Sequence, residues 1–153
     1  MILILVRHGE AVSEQVDPQK PLSVKGRAEV EKVARFLQQA RLRIEIFIHS
    51  GKTRAKETAQ IIRELVNPQA ALQAKDYLSP NDSLDRILLD IEQNQKNILI
   101  AGHMPFLSLL TSQLLVGDEE KLRTAFSTGT AAILERDSAR QWQLVGLINP
   151  GLL

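Results

Sequence analysis

Ile2-Leu3-Ile4-Leu5-Val6-Arg7-His8-Gly9 carries the clearest structural signal in the chain. The apolar run is short, rich in β-branched residues and bounded by Gly9, so it predicts a buried strand over 2–6 rather than a helix. A charged pair released at the C-terminal end of such a strand falls where open α/β sheets put their ligands. Arginine there points to an anion, and histidine beside it to a nucleophile or a proton carrier.

Outward from this strand, strand-like and helix-like segments alternate. That is the pattern of a layered α/β domain. Residues 10–22 are polar, contain two prolines and read as a loop. Ser23 is placed to cap a helix over 24–40 with the stripe Val30, Val33, Ala34 and Leu37, and Gly26 weakens its first turn. Ile44–Ile48 reads as a second strand. Ser50 reads as the cap of a helix over 51–66 that Asn67-Pro68 stops. A weakly marked strand over 70–75, a turn at Ser79-Pro80-Asn81-Asp82 and a helix over 83–93 follow. Asn97–Ala101 is a strongly marked strand, and 105–116 a leucine-rich helix whose leucines belong to the core. Strands over 130–136 and 141–148, joined by Asp137-Ser138-Ala139-Arg140, form a hairpin at one sheet edge. No repeat or linker interrupts the pattern, so residues 1–153 are expected to form one domain.

Composition narrows the partners. A net charge of +1 gives a weak overall field, so neither nucleic acid nor an anionic membrane is expected. The absence of cysteine removes disulfides, thiolate–zinc sites and thiol-based phosphatase chemistry. The N-terminal apolar run is too short for a membrane span and lacks the flanks of a signal peptide, so a cytoplasmic location is expected.

Three strand ends carry polar residues that a mainly parallel sheet would bring together. The first delivers Arg7-His8-Gly9, the second His49-Ser50 with Arg54 one turn into the next helix, and the strand over 97–101 delivers Gly102-His103. Such a pocket suits phosphoryl transfer. Two guanidiniums grip non-bridging oxygens. A helix N-terminus adds N–H donors and a favourable dipole. A neutral imidazole attacks phosphorus through one ring nitrogen while an acceptor fixes the proton on the other. Gly9 allows close backbone approach. The arginines supply the positive charge, no metal-ligand spacing is evident, and no metal or cofactor is expected.

Leu5-Val6-Arg7-His8-Gly9-Glu10 resembles the signature of the histidine phosphatase (phosphoglycerate-mutase-like) superfamily. Ser50–Ala59 is similar to its second motif, S-x-x-x-R-A-x-x-T-A. Gly102-His103 resembles its third, and Pro21–Gly26 its L-[ST]-x-x-G element. Four motifs in order are far more specific than one R-H-G. The resemblance implies a three-layer α/β/α sandwich with a mainly parallel central sheet and an antiparallel edge. It implies His8 as the phosphorylated nucleophile and Arg7, Arg54 and His103 as phosphoryl ligands, with phosphate or other oxyanions binding the pocket.

Within the superfamily the chain looks most like the SixA-type phosphohistidine phosphatases, through its small size, Leu78-Ser79-Pro80, Gly102-His103-Met104-Pro105 and Phe126–Ala131. Ser79 joins Gly9 among the residues expected to bind substrate. Much of the superfamily has a glutamate general acid after the third strand, and this chain has none between Glu64 and Glu92. A general acid contributes about 10²–10⁴-fold when an alkoxide must leave. Phosphohistidine has a more labile P–N bond, so the expected substrate is a phosphohistidine-bearing signalling protein such as a phosphotransfer domain. Asp76, Asp82 and Glu10 stay open as substitute acids. The alternatives are a small-molecule phosphomonoesterase and a non-catalytic phosphate-binding module. His49 reads as a supporting residue, Lys52 as adding positive potential at the mouth, and Ser50 as a cap rather than a nucleophile. Thr128 and Thr130 read equally as pocket lining or as the start of a strand.

Overall fold

A computed structural model describes residues 1–153. The elements run β1 (Ile2–Arg7), α1 (Val24–Gln39), β2 (Ile46–His49), α2 (Thr53–Val66), β3 (Ala71–Ala74), α3 (Asp85–Glu92), β4 (Ile98–Gly102), α4 (Phe106–Val116), β5 (Ala131–Arg136) and β6 (Trp142–Ile148). A short 3₁₀ turn, Pro150–Leu152, follows. The strands form one sheet in the order β3-β2-β4-β1-β5-β6. It is parallel from β3 to β1 and antiparallel where β5 joins β1 and β6 joins β5.

Alternation along the strands builds the layers. Ile4 and Val6 of β1, with Phe47, Leu99 and Ala101, face α1 and α2 in one apolar cluster. Leu3 and Leu5, with Ile48, Ile98 and Ile100, face α3 and α4 in another. A period-2 strand buried on both faces reads as an unbroken apolar run, the pattern that opens this sequence. The result is the α/β/α sandwich with an antiparallel edge.

β1 is followed by α1 and then by β2, two places away, and β4 later fills the gap between them. The register sets Arg7 beside Gly102 and His49 beside Ala101. The C-terminal ends of β1, β4 and β2 therefore lie side by side, and that edge carries the site.

Local readings change in four places. α2 starts at Thr53 with Lys52 in the cap position and no side-chain cap, so Ser50 does not cap it. β2 starts at Ile46. Glu45 and Ile46 both donate their N–H to the Asn97 carbonyl, and Ile44 is a buried core residue outside the ladder. On α4, Leu107 and Leu110 are fully buried, while Leu109, Leu114 and Leu115 are half-buried against the same cluster. Gly26 has a tertiary reason to be in the first turn of α1. A Cβ there would lie 2.1 Å from the Glu10 carbonyl oxygen, and one at Gly9 would lie 2.8 Å from the Gly26 carbonyl oxygen. The backbone after β1 rests directly on α1, so the space that Gly9 leaves is filled by the protein itself. Ser23 does cap α1, its hydroxyl accepting from Gly26 N–H at 3.0 Å.

Candidate active site

The Arg7-His8 backbone is held on both sides. His8 N–H donates to the Gly102 carbonyl at 3.0 Å, which extends the β1–β4 pairing by one residue. Gly129 N–H donates to the carbonyls of Arg7 and His8, and Arg7 N–H to that of Thr130. Thr130 is buried, and its hydroxyl pairs with Ser127 at 2.7 Å.

The His8 ring has a fixed tautomer. Its Nδ1 lies 2.7 Å from the Gly9 carbonyl oxygen. A carbonyl only accepts, so Nδ1 carries the proton and Nε2 keeps a lone pair. Arg54 donates from Nε to that Nε2 at 3.2 Å. Burial holds the His8 imidazole well below its usual range, at about 4, and the charges of Arg54, Arg7 and Lys52 push the same way against the Gly9 bond. At neutral pH His8 is therefore an uncharged imidazole whose Nε2 lone pair accepts from Arg54.

Arg54 sits in the first turn of α2, and Thr58 locks it to the β1 loop. The buried Thr58 hydroxyl donates to the Arg54 carbonyl at 2.7 Å and accepts from Gly9 N–H at 3.1 Å. Sequence reasoning gave Thr58 no role, although it is the threonine of the second motif. Arg7 donates from one terminal nitrogen to the Phe126 carbonyl at 2.7 Å.

His103 is 2% exposed. Its ring centroid lies 5.0 Å from that of His8, with the planes tilted by 54°. Its Nε2 is 2.6 Å from Ser50 Oγ. Burial, helped by His8, Arg54, Lys52 and Arg7, lowers its pKa to about 3. His49 faces a different task. Its Nδ1 accepts from Gly51 N–H at 3.0 Å and shapes the turn that carries Ser50.

Two buried side-chain polar atoms lack a hydrogen-bond partner, Arg7 Nε and His103 Nδ1. Buried polar groups are nearly always paired, and leaving one unpaired costs about 1–3 kcal/mol. Both orphans belong to the residues around His8.

The other expected residues make their hydrogen bonds elsewhere. Ser79 N–H donates to Asp82 in a tight turn, and no Ser79 hydrogen bond reaches His8, Arg7, Arg54 or His103. Glu10 accepts from the Ser23 hydroxyl at 2.8 Å and faces Lys25, contacts that lower its pKa and tie it to the start of α1. Asp76 has an 86% exposed side chain beside Arg86. None of the three carboxylates bonds to His8 or His103.

The acid limb of kcat/KM that belongs to the enzyme is expected near pH 4 rather than near 6.5. Protonation removes the His8 lone pair, and the folded site resists it down to about 4. The same shift has a stability cost on the acid side. The unfolded chain binds this proton more readily, so stability falls as pH drops from about 6.5 toward 4. A pH–rate profile with a substrate of known ionisation checks the first, and acid titration of the fold checks the second.

Comparison with known proteins decides the family. Residues 3–79 match the model of the histidine phosphatase superfamily (branch 1). The chain belongs to the histidine phosphatase superfamily. It is 21% identical over 150 residues to the phosphohistidine phosphatase SixA of Escherichia coli (strain K12), covering 94% of this chain and 93% of that protein. Its fold matches the structure of the protein histidine phosphatase SixA complexed with tungstate, with a TM-score of 0.86, 21% identity and 99% of both chains covered. It also matches the α-ribazole phosphatase from Shigella flexneri, with a TM-score of 0.77, 18% identity and coverage of 98% and 97%. Family and fold together support a phosphatase, and the fold is shared by members named for a protein substrate and for a small molecule. No helix of this histidine phosphatase is long and apolar enough to cross a membrane.

Proposed function

We propose that the chain is a phosphatase that forms a phosphohistidine intermediate at His8 Nε2 and removes phosphoryl groups from histidine on a signalling protein. The observation that carries this reading is the His8 ring. It is neutral, with its proton held at Nδ1 by Gly9 and its Nε2 lone pair beside a guanidinium. An entering phosphoryl group takes over the Arg54 donor and frees that lone pair. Nε2 then attacks phosphorus in line, and the bond from phosphorus to the leaving group breaks. Charge on the non-bridging oxygens is met by Arg54, Arg7 Nε and His103 Nδ1. For His103 to donate there, its proton sits on Nδ1 and Ser50 donates to Nε2, which agrees with the 2.6 Å contact. Water attacks the phosphohistidine in the second step. The P–N bond breaks, the electron pair returns to Nε2, and phosphate leaves.

The engagement of the carboxylates supports phosphohistidine as substrate. Glu10 is held at α1, Asp82 closes the Ser79 turn and Asp76 pairs outward with Arg86. An alkoxide leaving group needs a proton from such a group. An imidazole already protonated on its second nitrogen leaves as a neutral ring and needs none. The tungstate complex of a SixA fold supports oxyanion binding at this pocket.

The test compares phosphate release from a phosphohistidine-bearing phosphotransfer domain and from an alkyl phosphate such as glycerol phosphate at equal concentration. Faster release from the phosphodomain is expected, by about 10²-fold or more, the scale of a missing general acid. Equal or faster release from the ester would favour the second reading, a small-molecule phosphomonoesterase, to which the fold likeness with the α-ribazole phosphatase lends weight.

A further inference from the structure

A cavity of about 570 Å³ adjoins the phosphoryl site, walled by Ser50 and Gly51 on the β2–α2 turn, by Lys75, Asp76 and Tyr77, and by Arg86 and Asp90 of α3. Ser50 belongs to both places, since its hydroxyl contacts His103 at 2.6 Å. The two places are therefore connected through Ser50.

The charges in its wall are not equally free. Tyr77 donates its phenol to Asp90, and Lys75 Nζ lies 3.5 Å from the same carboxylate and 5.8 Å from the Tyr77 ring centroid. These groups satisfy one another. Arg86 is different. Its guanidinium lies over the Tyr77 ring, 4.0 Å from the centroid, which fixes its orientation. Its partner is Asp76 at 3.4 Å, a contact between side chains 66% and 86% exposed. Such a pair is screened and contributes little. The opening thus presents an oriented guanidinium whose exposed partner, Asp76, an incoming carboxylate can replace, and Arg7, Arg54 and Lys52 set a positive potential at the two imidazoles nearby. Arg86 covers a face of Tyr77, so the ring is poorly placed to stack a nucleobase there. A guanidinium fork selects a carboxylate.

We propose that Arg86, braced on Tyr77, binds an acidic side chain of the phosphorylated partner protein next to its phosphorylated residue. This rests on the protein-directed reading above. Arg86 would then set substrate preference without touching the reacting atoms.

The test uses histidine peptides phosphorylated with phosphoramidate and flanked by glutamate or by lysine, with p-nitrophenyl phosphate as the short substrate. The wild-type protein is expected to show a KM about tenfold lower for the glutamate peptide, the effect of one well-placed charge pair. Arg86→Gln should abolish that preference and Arg86→Glu reverse it, with kcat and ester hydrolysis moving less than about twofold. An unchanged peptide ratio in Arg86→Glu would overturn the proposal, and so would an equal loss on peptides and ester, which is the mark of a structural role. If the wild-type protein released phosphate from the ester and from neither peptide, the protein-directed reading would fail and this subsite with it. That failure shows before any variant is compared.

Discussion

His8→Ala is expected to lower phosphate release by about 10³-fold or more on every substrate, because the side chain removed is the one that forms the covalent bond. The fold should survive the change. The backbone bonds that hold this position, from His8 N–H to Gly102 and from Gly129 to the His8 carbonyl, do not involve the ring. The ring itself makes two hydrogen bonds, to Gly9 and from Arg54. Circular dichroism should therefore match the parent, and thermal unfolding should move little. Removing a half-buried imidazole whose pKa is held at about 4 also removes an acid-side liability, so the variant should lose less stability between pH 6.5 and 4 than the parent. Phosphate release near the parental rate would mean direct attack by water and would end the covalent account.

Arg54→Lys is expected to cost about 10²–10³-fold in kcat/KM although it keeps the charge. The loss is on the scale of removing one oriented donor from a developing oxyanion. Arg54 donates through Nε, at 3.2 Å from His8 Nε2, and its backbone is pinned by Thr58. An ammonium on a flexible stem supplies neither the fork nor that fixed direction. Arg54→Ala should cost more and should also shift the pH profile. The Arg54 charge is one of the influences that depress His8, so without it the acid limb moves upward from about 4 toward the ordinary histidine range. A lysine variant with parental kcat/KM, or an alanine variant with an unmoved acid limb, would contradict the role given to Arg54.

How much of this was legible in the residues depends on how local the cause is. β1 and β4 are read correctly because unbroken apolar runs bounded by glycine or polar residues carry the two-faced burial of a parallel sheet. The stripe Val30, Val33, Ala34 and Leu37 is buried as helical spacing predicts. The convergence of Arg7, Arg54 and His103 around His8 follows from strand order, which alternation of element types anticipates. Ser50 is misread because serine before a helix favours capping by local propensity alone, while its partner is His103, 53 residues away. Gly26 reads locally as a weak helix residue, and its reason is the Glu10 backbone lying against it. Glu10 reads as a free carboxylate beside the nucleophile, whereas the return of the chain at Ser23 engages it. The role of Thr58 likewise depends on Gly9, 49 residues away. In each case the deciding partner lies outside any helical or strand period, so periodicity carries no trace of it.

The measurement that reaches the central claim most directly is rapid quenching with a phosphodonor labelled on phosphorus, followed by mass spectrometry of the peptide containing His8. A single phosphoryl group is expected on the His8 imidazole, lost in acid and kept in base. The label should be absent from His8→Ala and should decay at the rate of phosphate release. No label on His8 during turnover, or label on another residue, would contradict it.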